Sequence, residues 1–361
     1  VAFGSATGNE GVRAPNGTVT INGGDLVLDG PVIAGGGATL TAGGVLALND
    51  AIDWSAGTLT LQSAGDLSVN APVTFGDGSA IFVSNTGDVT FAAGAAVSVS
   101  DGVQVTGNNV ALDAVTASAF PTLNVSGDLT LNGTITPFDR GLNVPGTLTI
   151  NADQTITASD AVGLSAGGDL VIEGQVTLDV PETTLSSSRS TSISGAILST
   201  GNVGLASGSS VAIDGSVSVT DSEISIAATD AVFLNAGSRI AIANGGAADS
   251  ISILSNVDGV GSEAFVHLDP TTAVDAGSGA VTIGPVIPYP VPDGVLSGGK
   301  ITVVPSPDTL STDFSYVPSW IQGVVGEWSD DGTWFARRMG GDPPPISVIS
   351  APFAPETMQA E

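Results

Sequence analysis

Carboxylates dominate the side chains able to do chemistry: 36 Asp plus Glu stand against seven Lys plus Arg, one His and no Cys. Without Cys there is neither a disulfide framework nor a thiolate metal site. Glycan-cleaving chemistry needs carboxylates set beside Arg, Lys or His on one face. The only His is His267, the only Lys is Lys300, and Arg140, Arg189 and Arg239 follow one another at intervals of about fifty residues. That spacing scatters the cations, so no catalytic residue is assigned. His267 stands between Val266 and Leu268, and alternation directs it outward from a strand.

Three other patterns could hold an ion or order water. Asp25, Asp66, Asp88, Asp128 and Asp169 fall in one column of a repeat, with only Asp66 and Asp88 in successive copies. The run Gly245-Gly246-Ala247-Ala248-Asp249-Ser250-Ile251 looks like a calcium-binding nonapeptide, but its Asp falls one position early and the run does not recur. These carboxylates read as solvated corner residues. No metal or cofactor site is assigned, and calcium is the one ion kept open. Thr18-Val19-Thr20, Thr39-Leu40-Thr41 and Thr58-Leu59-Thr60 recur at 21 and 19 residues, a spacing that would suit ice binding, and stop at Ser79-Ala80-Ile81. Thr favours strands in any case.

The elements that carry these residues are rewritten along the chain. Gly24-Asp25-Leu26-Val27-Leu28-Asp29-Gly30 returns with small changes at Gly65, Gly127 and Gly168. Its second apolar residue gives the series Leu28, Leu48, Val69, Phe91, Leu112, Leu131, Ile150, Ile172, Ile193, Ile213, Leu234, Ile253 and Val274, in steps of 19 to 22 residues. Self-similarity at this period is the signature of stacked coils. Each marker segment alternates apolar with small or polar residues, the period of a strand with one buried face. Asn or Asp commonly follows the marker, then a small residue, which makes a tight corner. Rungs would lie about 4.8 Å apart, where like charges repel by roughly 1 kcal/mol even in water. No two successive copies place a carboxylate directly after the marker.

Between markers a second strand recurs, as at Leu59-Thr60-Leu61 and Val203-Gly204-Leu205, and a third follows each corner, as at Val32-Ile33 and Val176. Three short strands per coil describe an all-β parallel β-helix, or β-solenoid, of about 13 coils of about 20 residues. The composition agrees: 49 Gly, 5% aromatic and 12% charged residues suit narrow turns around a thin aliphatic core. A net charge of −29 repels nucleic acid and anionic lipid. No 18-residue apolar span occurs, so no direct membrane insertion is expected. The outward residue at the centre of the marker strand is uncharged in every copy, from Val27 and Ala47 to Ala273, and uncharged flat faces permit lateral association.

Along the chain, residues 1–14 read as a lead-in, 15–284 as the β-helix, and 285–361 as a Pro/Trp-rich segment for capping or assembly that ends in an extended tail. The last of these holds 12 of the 20 Pro and three of the four Trp. Trp320, Trp328, Trp334, Phe314 and Phe335 are its candidates for covering an open core or anchoring in a partner. Glu327-Trp328-Ser329 and Thr333-Trp334-Phe335 flank Asp330-Asp331-Gly332 as a hairpin.

The motif Gly-Asp-Leu-x-Leu/Val-Asn-Gly/Ala, with copies at residues 24, 65, 127 and 168, resembles the repeats of filamentous haemagglutinin-like exoproteins. These are large bacterial surface or secreted proteins of the two-partner secretion type. The resemblance spans residues 15–276. It implies a right-handed helix and an extracellular or cell-surface, bacterial location. The Asn-Pro-rich secretion signature of that family is not present, Ala14-Pro15-Asn16-Gly17 being at best an echo of it.

The expectation is a non-enzymatic structural β-solenoid, either the shaft of an adhesin or a subunit of a filament or sheath. Its partners would be copies of itself, end-to-end or lateral, or host or cell-surface glycans or proteins. A glycan-binding or glycan-cleaving β-helix is the alternative, and ice binding a further one.

Overall fold

Alternation of inward and outward side chains, interrupted every few residues by Gly, Asn, Asp or Ser, favours strands of two to seven residues joined by sharp corners over any helix. The computed structural model describes residues 2–3, 12–14, 16–75, 77–255, 264–286, 291, 294–305, 324–328 and 334–338. It is a parallel β-solenoid of about 13 turns with about 21-residue spacing and no helix among the described residues. Two compact units are distinguished, residues 1–198 and 199–361.

In the first unit each coil supplies one strand to each of three faces. The marker face runs Leu26–Leu28, Leu46–Leu48, Leu67–Val69, Val89–Phe91, Val110–Leu112, Leu129–Leu131, Leu148–Ile150, Leu170–Ile172 and Thr191–Ile193, every pair parallel and in register. The same ladders take in residues read as a lead-in: Ala2–Phe3 pairs with Val27 and Leu28, and Val12–Ala14 with Val32–Ala34. The inward residues are almost wholly buried, Leu26, Leu46, Leu67, Val89 and Leu148 at 0% exposure. Burial of that extent is worth roughly 1.5–3 kcal/mol per large aliphatic side chain. Aromatics enter this core as well. Trp54 and Phe82 are its largest fully buried residues, and Phe82 meets Phe91 edge-on at 4.9 Å.

Register corrects one reading of the sequence. The Thr-x-Thr triplets do not stack as triplets, because Thr20 pairs with Thr39 and Thr39 with Thr60, while Asn22 pairs with Thr41 and Thr41 with Gln62. A single Thr column results, and it ends where Thr60 meets Ile81.

In the second unit the second face runs Asn202–Ser207, Ile224–Ala228, Ser250–Ser255, Ala280–Val286 and Lys300–Pro305. The ladder therefore continues past Pro285. The last two markers of the series belong to other faces. Ile253 pairs with Ile226 on the second face and Val274 with Ile240 on the third, whereas Leu234 pairs with Leu268. This coil is longer than the others, and all three faces share the same period-2 alternation, so spacing alone does not say which face a strand joins. Farther on, Val324–Trp328 and Trp334–Arg338 pair antiparallel as a hairpin, Trp328 opposite Trp334 and Glu327 opposite Phe335.

Candidate functional site

The recurring polar residues act first on one another. At the corner after the marker, Asn49 Nδ2 donates to Asp29 Oδ1 at 2.7 Å and Asn70 Nδ2 to Asn49 Oδ1 at 2.8 Å. Asn151 and Asn235 repeat the contact with Asn132 and Asp214. The alternation of Asn with Asp in this column is thus a side-chain ladder, with a carboxylate only where no carboxylate precedes it.

The aspartates of the Gly-Asp-Leu motif form a second column with a different partner. Asp25 Oδ1 accepts the backbone N–H of Val45 at 2.9 Å, Asp66 Oδ1 that of Asp88 at 3.0 Å, Asp128 Oδ1 that of Thr147 at 2.6 Å and Asp169 Oδ1 that of Ser190 at 2.9 Å. Each carboxylate ties its corner to the next rung, beyond the solvated role read from the sequence. The glycine one rung on from the aspartate follows from this contact. A Cβ at Gly44 would collide with Asp25 Oδ1, and one at Gly146 with Asp128 Oδ1. Asp249 closes its own turn, accepting the N–H of Gly246 at 2.6 Å. Among the described residues no group of three or more His, Asp or Glu is placed to hold a metal ion.

The scattered cations stay in separate settings. His267 is half-exposed between buried Val266 and Leu268, as alternation requires, and its ring lies 6.3 Å from Phe233. Arg239 pairs in the ladder with Ser216 and Ala273, and Lys300 with Ala280. Arg140 Nε donates to Asp139 Oδ1 at 3.2 Å, and its guanidinium lies 5.7 Å from the Phe120 ring centroid.

Arg140 marks the one place among the described residues of the first unit where the repeat is broken. Between the coil holding Leu129–Leu131 and the coil holding Leu148–Ile150, the marker strands remain paired, Leu129 opposite Leu148. The other two ladders stop. On the third face Ile135–Thr136 pairs only backward and Gln154–Thr157 only forward. The buried side chain of Gln154 closes that break: its Oε1 accepts the N–H of Ile135 at 3.0 Å and its Nε2 donates to the carbonyl of Gly133 at 2.9 Å.

On the second face Thr122–Val125 pairs only with Val103–Gly107, and Leu142–Val144 only with Val162–Ala166. No side chain bridges them among the described contacts; Asn124 and Ser126 reach back to Thr106 and Asn108. A cleft of about 730 Å³ opens between the two strand edges, lined by Leu123, Asn124, Arg140, Leu142 and Asn143 among others. Phe120 lines it and stacks on Phe138 at 4.8 Å.

The signal for this break lies in a column of small residues. Gly23, Ala42, Ser63, Ser84 and Gly107 precede the gap and Ala166 and Ser187 follow it, but the two flanking rungs carry Val125 and Val144. Ser63 and Ser84 use that corner to donate to the carbonyl of Gly65, both at 2.7 Å. A valine can neither make that bond nor occupy so little space.

Of the aromatic candidates, Trp328, Trp334 and Phe335 sit on the paired hairpin strands, and Phe314 and Trp320 lie outside the described residues. Compared with known protein families, curated proteins and solved structures, the chain matches none.

Proposed function

We propose that this chain is a non-enzymatic structural β-solenoid of the bacterial cell surface, serving as the shaft of a filamentous haemagglutinin-like adhesin or as the subunit of a filament or sheath. The observation that carries this reading is the use made of the repeated polar groups. The motif aspartates and corner asparagines bind neighbouring rungs, so the features that recur serve length and stiffness. Catalysis would instead gather acids and bases in one place. The uncharged outward column from Val27 through Ala47, Ser68 and Thr90 is in register rung upon rung and offers a flat face for lateral contact.

Electron microscopy of the native material tests the proposal. Rods or indefinite fibres are expected, and compact isolated particles with no surface association would sink it. Incubation with acidic and neutral polysaccharides, with and without calcium, is expected to release no reducing or unsaturated ends. A product that disappears in Arg189→Ala, Arg239→Ala or His267→Ala would replace the structural reading with the glycan-cleaving one.

A further inference from the structure

We propose that the cleft between Thr122–Val125 and Leu142–Val144 is a docking slot for one extended peptide strand of another protein, which enters parallel to both edges and completes the interrupted ladder. Two independent observations point to a strand. The first is backbone valence: each edge pairs on one side only, so alternate N–H and C=O groups of both strands face the same opening. Backbone groups of this kind call for partners, and only another polypeptide backbone offers donors and acceptors at matching intervals to two edges at once. The second is side-chain exposure. In the inward column Leu61, Phe82 and Val105 are 0% exposed, but Leu123, the next member, is only partly buried, as is Val125 at the corner. An intercalated strand with apolar residues at alternate positions would cover both.

The occupant we assign is a strand of another protein, since every described strand of this chain is already held in a ladder or in the hairpin. The outward residues beside the slot, Asn124 and Asn143, are uncharged and select little. Specificity therefore rests on the inward apolar positions, and recognition on main-chain hydrogen bonds, as in β-strand addition elsewhere.

The test uses the full chain and a labelled peptide, Gly-Thr-Leu-Thr-Leu-Gln-Ser, copied from the strand Gly57–Ser63, which this solenoid already accommodates between two rungs. Saturable binding is expected, with hydrogen-exchange protection appearing at residues 122–125 and 142–144. N-methylation of alternate peptide amides should weaken binding about tenfold or more, since it removes ladder hydrogen bonds and leaves the side chains in place. Val125→Ser with Val144→Ser restores the small-residue column and should close the slot, abolishing binding while the variant stays folded. Failure to bind, or binding indifferent to N-methylation, overturns the proposal. Exchange at these amides that is already slow in the free protein overturns it too. If the free chain self-associates and the peptide disperses it, the slot belongs to a second copy, and the external partner is ruled out.

Discussion

The side-chain carbonyl of Gln154 accepts the backbone N–H of Ile135 at 3.0 Å, a bond that the next strand's main chain would make in an unbroken ladder. One amide side chain thereby does on the third face what no described side-chain contact does on the second. Gln154→Ala would leave the N–H of Ile135 and the carbonyl of Gly133 buried without partners, at a cost of about 1–3 kcal/mol. Thermal or urea unfolding should show that loss, with hydrogen exchange quickening first at Ile135. Stability equal to wild type would mean that this bridge does not hold the break shut.

The packing of Asp25 against the glycine one rung on predicts a coupling between residues on neighbouring rungs. Gly44→Ala pushes a methyl group into the Asp25 carboxylate, and Asp25→Ala removes the obstacle along with the bond to Val45. The double variant should therefore be more stable than the sum of the single losses implies, by on the order of 1 kcal/mol in a double-mutant cycle. Strict additivity would separate the glycine from the aspartate.

Leu129 and Ile172 are 1% and 0% exposed. Replacing either with Asp buries an unpaired carboxylate at a cost of several kcal/mol. Because each coil contacts chiefly its neighbours, the damage should stay within the adjoining rungs, seen as new protease sites near the substitution and unchanged protection farther off. Global, single-step unfolding would contradict this local cooperativity.

Asp269 accepts both the N–H and the Oγ1–H of Thr271, at 2.8 and 2.6 Å, and these bonds hold its carboxyl below the ordinary 3.8. A carboxyl with a lowered folded-state pKa lends stability above its unfolded value and loses it as pH falls through the folded one. The turn at Asp269–Thr272 should thus hold above about pH 4 and loosen below it. Titration of the Asp269 carboxyl by NMR checks the direction, and Thr271→Val should move its midpoint back upward.

The C-terminal segment calls for two truncations. Removing 306–361 leaves Lys300–Pro305 on its ladder, whereas removing 286–361 strips that strand and bares the edge of Ala280–Ile283. If exposed edges drive association, the longer deletion should aggregate the more. Light scattering of both variants decides, and equal behaviour would place the aggregation-controlling residues after 305.

Much of this fold was legible because its period is written in residue types. Asn after a marker announces a corner, and the absence of successive carboxylates there fits a stack; the ladder itself, Asn49 donating to Asp29 and Asn70 to Asn49, came from the structure. What escaped was register. Ile253 looks like a marker because inward residues on all three faces obey one alternation, and only pairing with Ile226 assigns it to the second face. The Thr triplets failed for the same reason, an offset of two residues that leaves every side chain facing the same way. The break beside Leu123 was harder still: Val125 and Val144 are unremarkable until aligned with Ser63, Ser84 and Ala166.

The corner ladder also has a direction. Asn49 donates a hydrogen bond to the rung before it and offers its oxygen to the rung after, so it is both an end and a beginning, while Asp29 can only accept. A coil closing in Asn could be copied in tandem and every amide would still be matched. Copying the coil that closes in Asp29 would set two carboxylates about 4.8 Å apart with no proton between them. Growth of this molecule by internal duplication is therefore expected to multiply coils such as those ending at Asn49 and Asn70, each new copy extending the row while the carboxylate that starts it stays single.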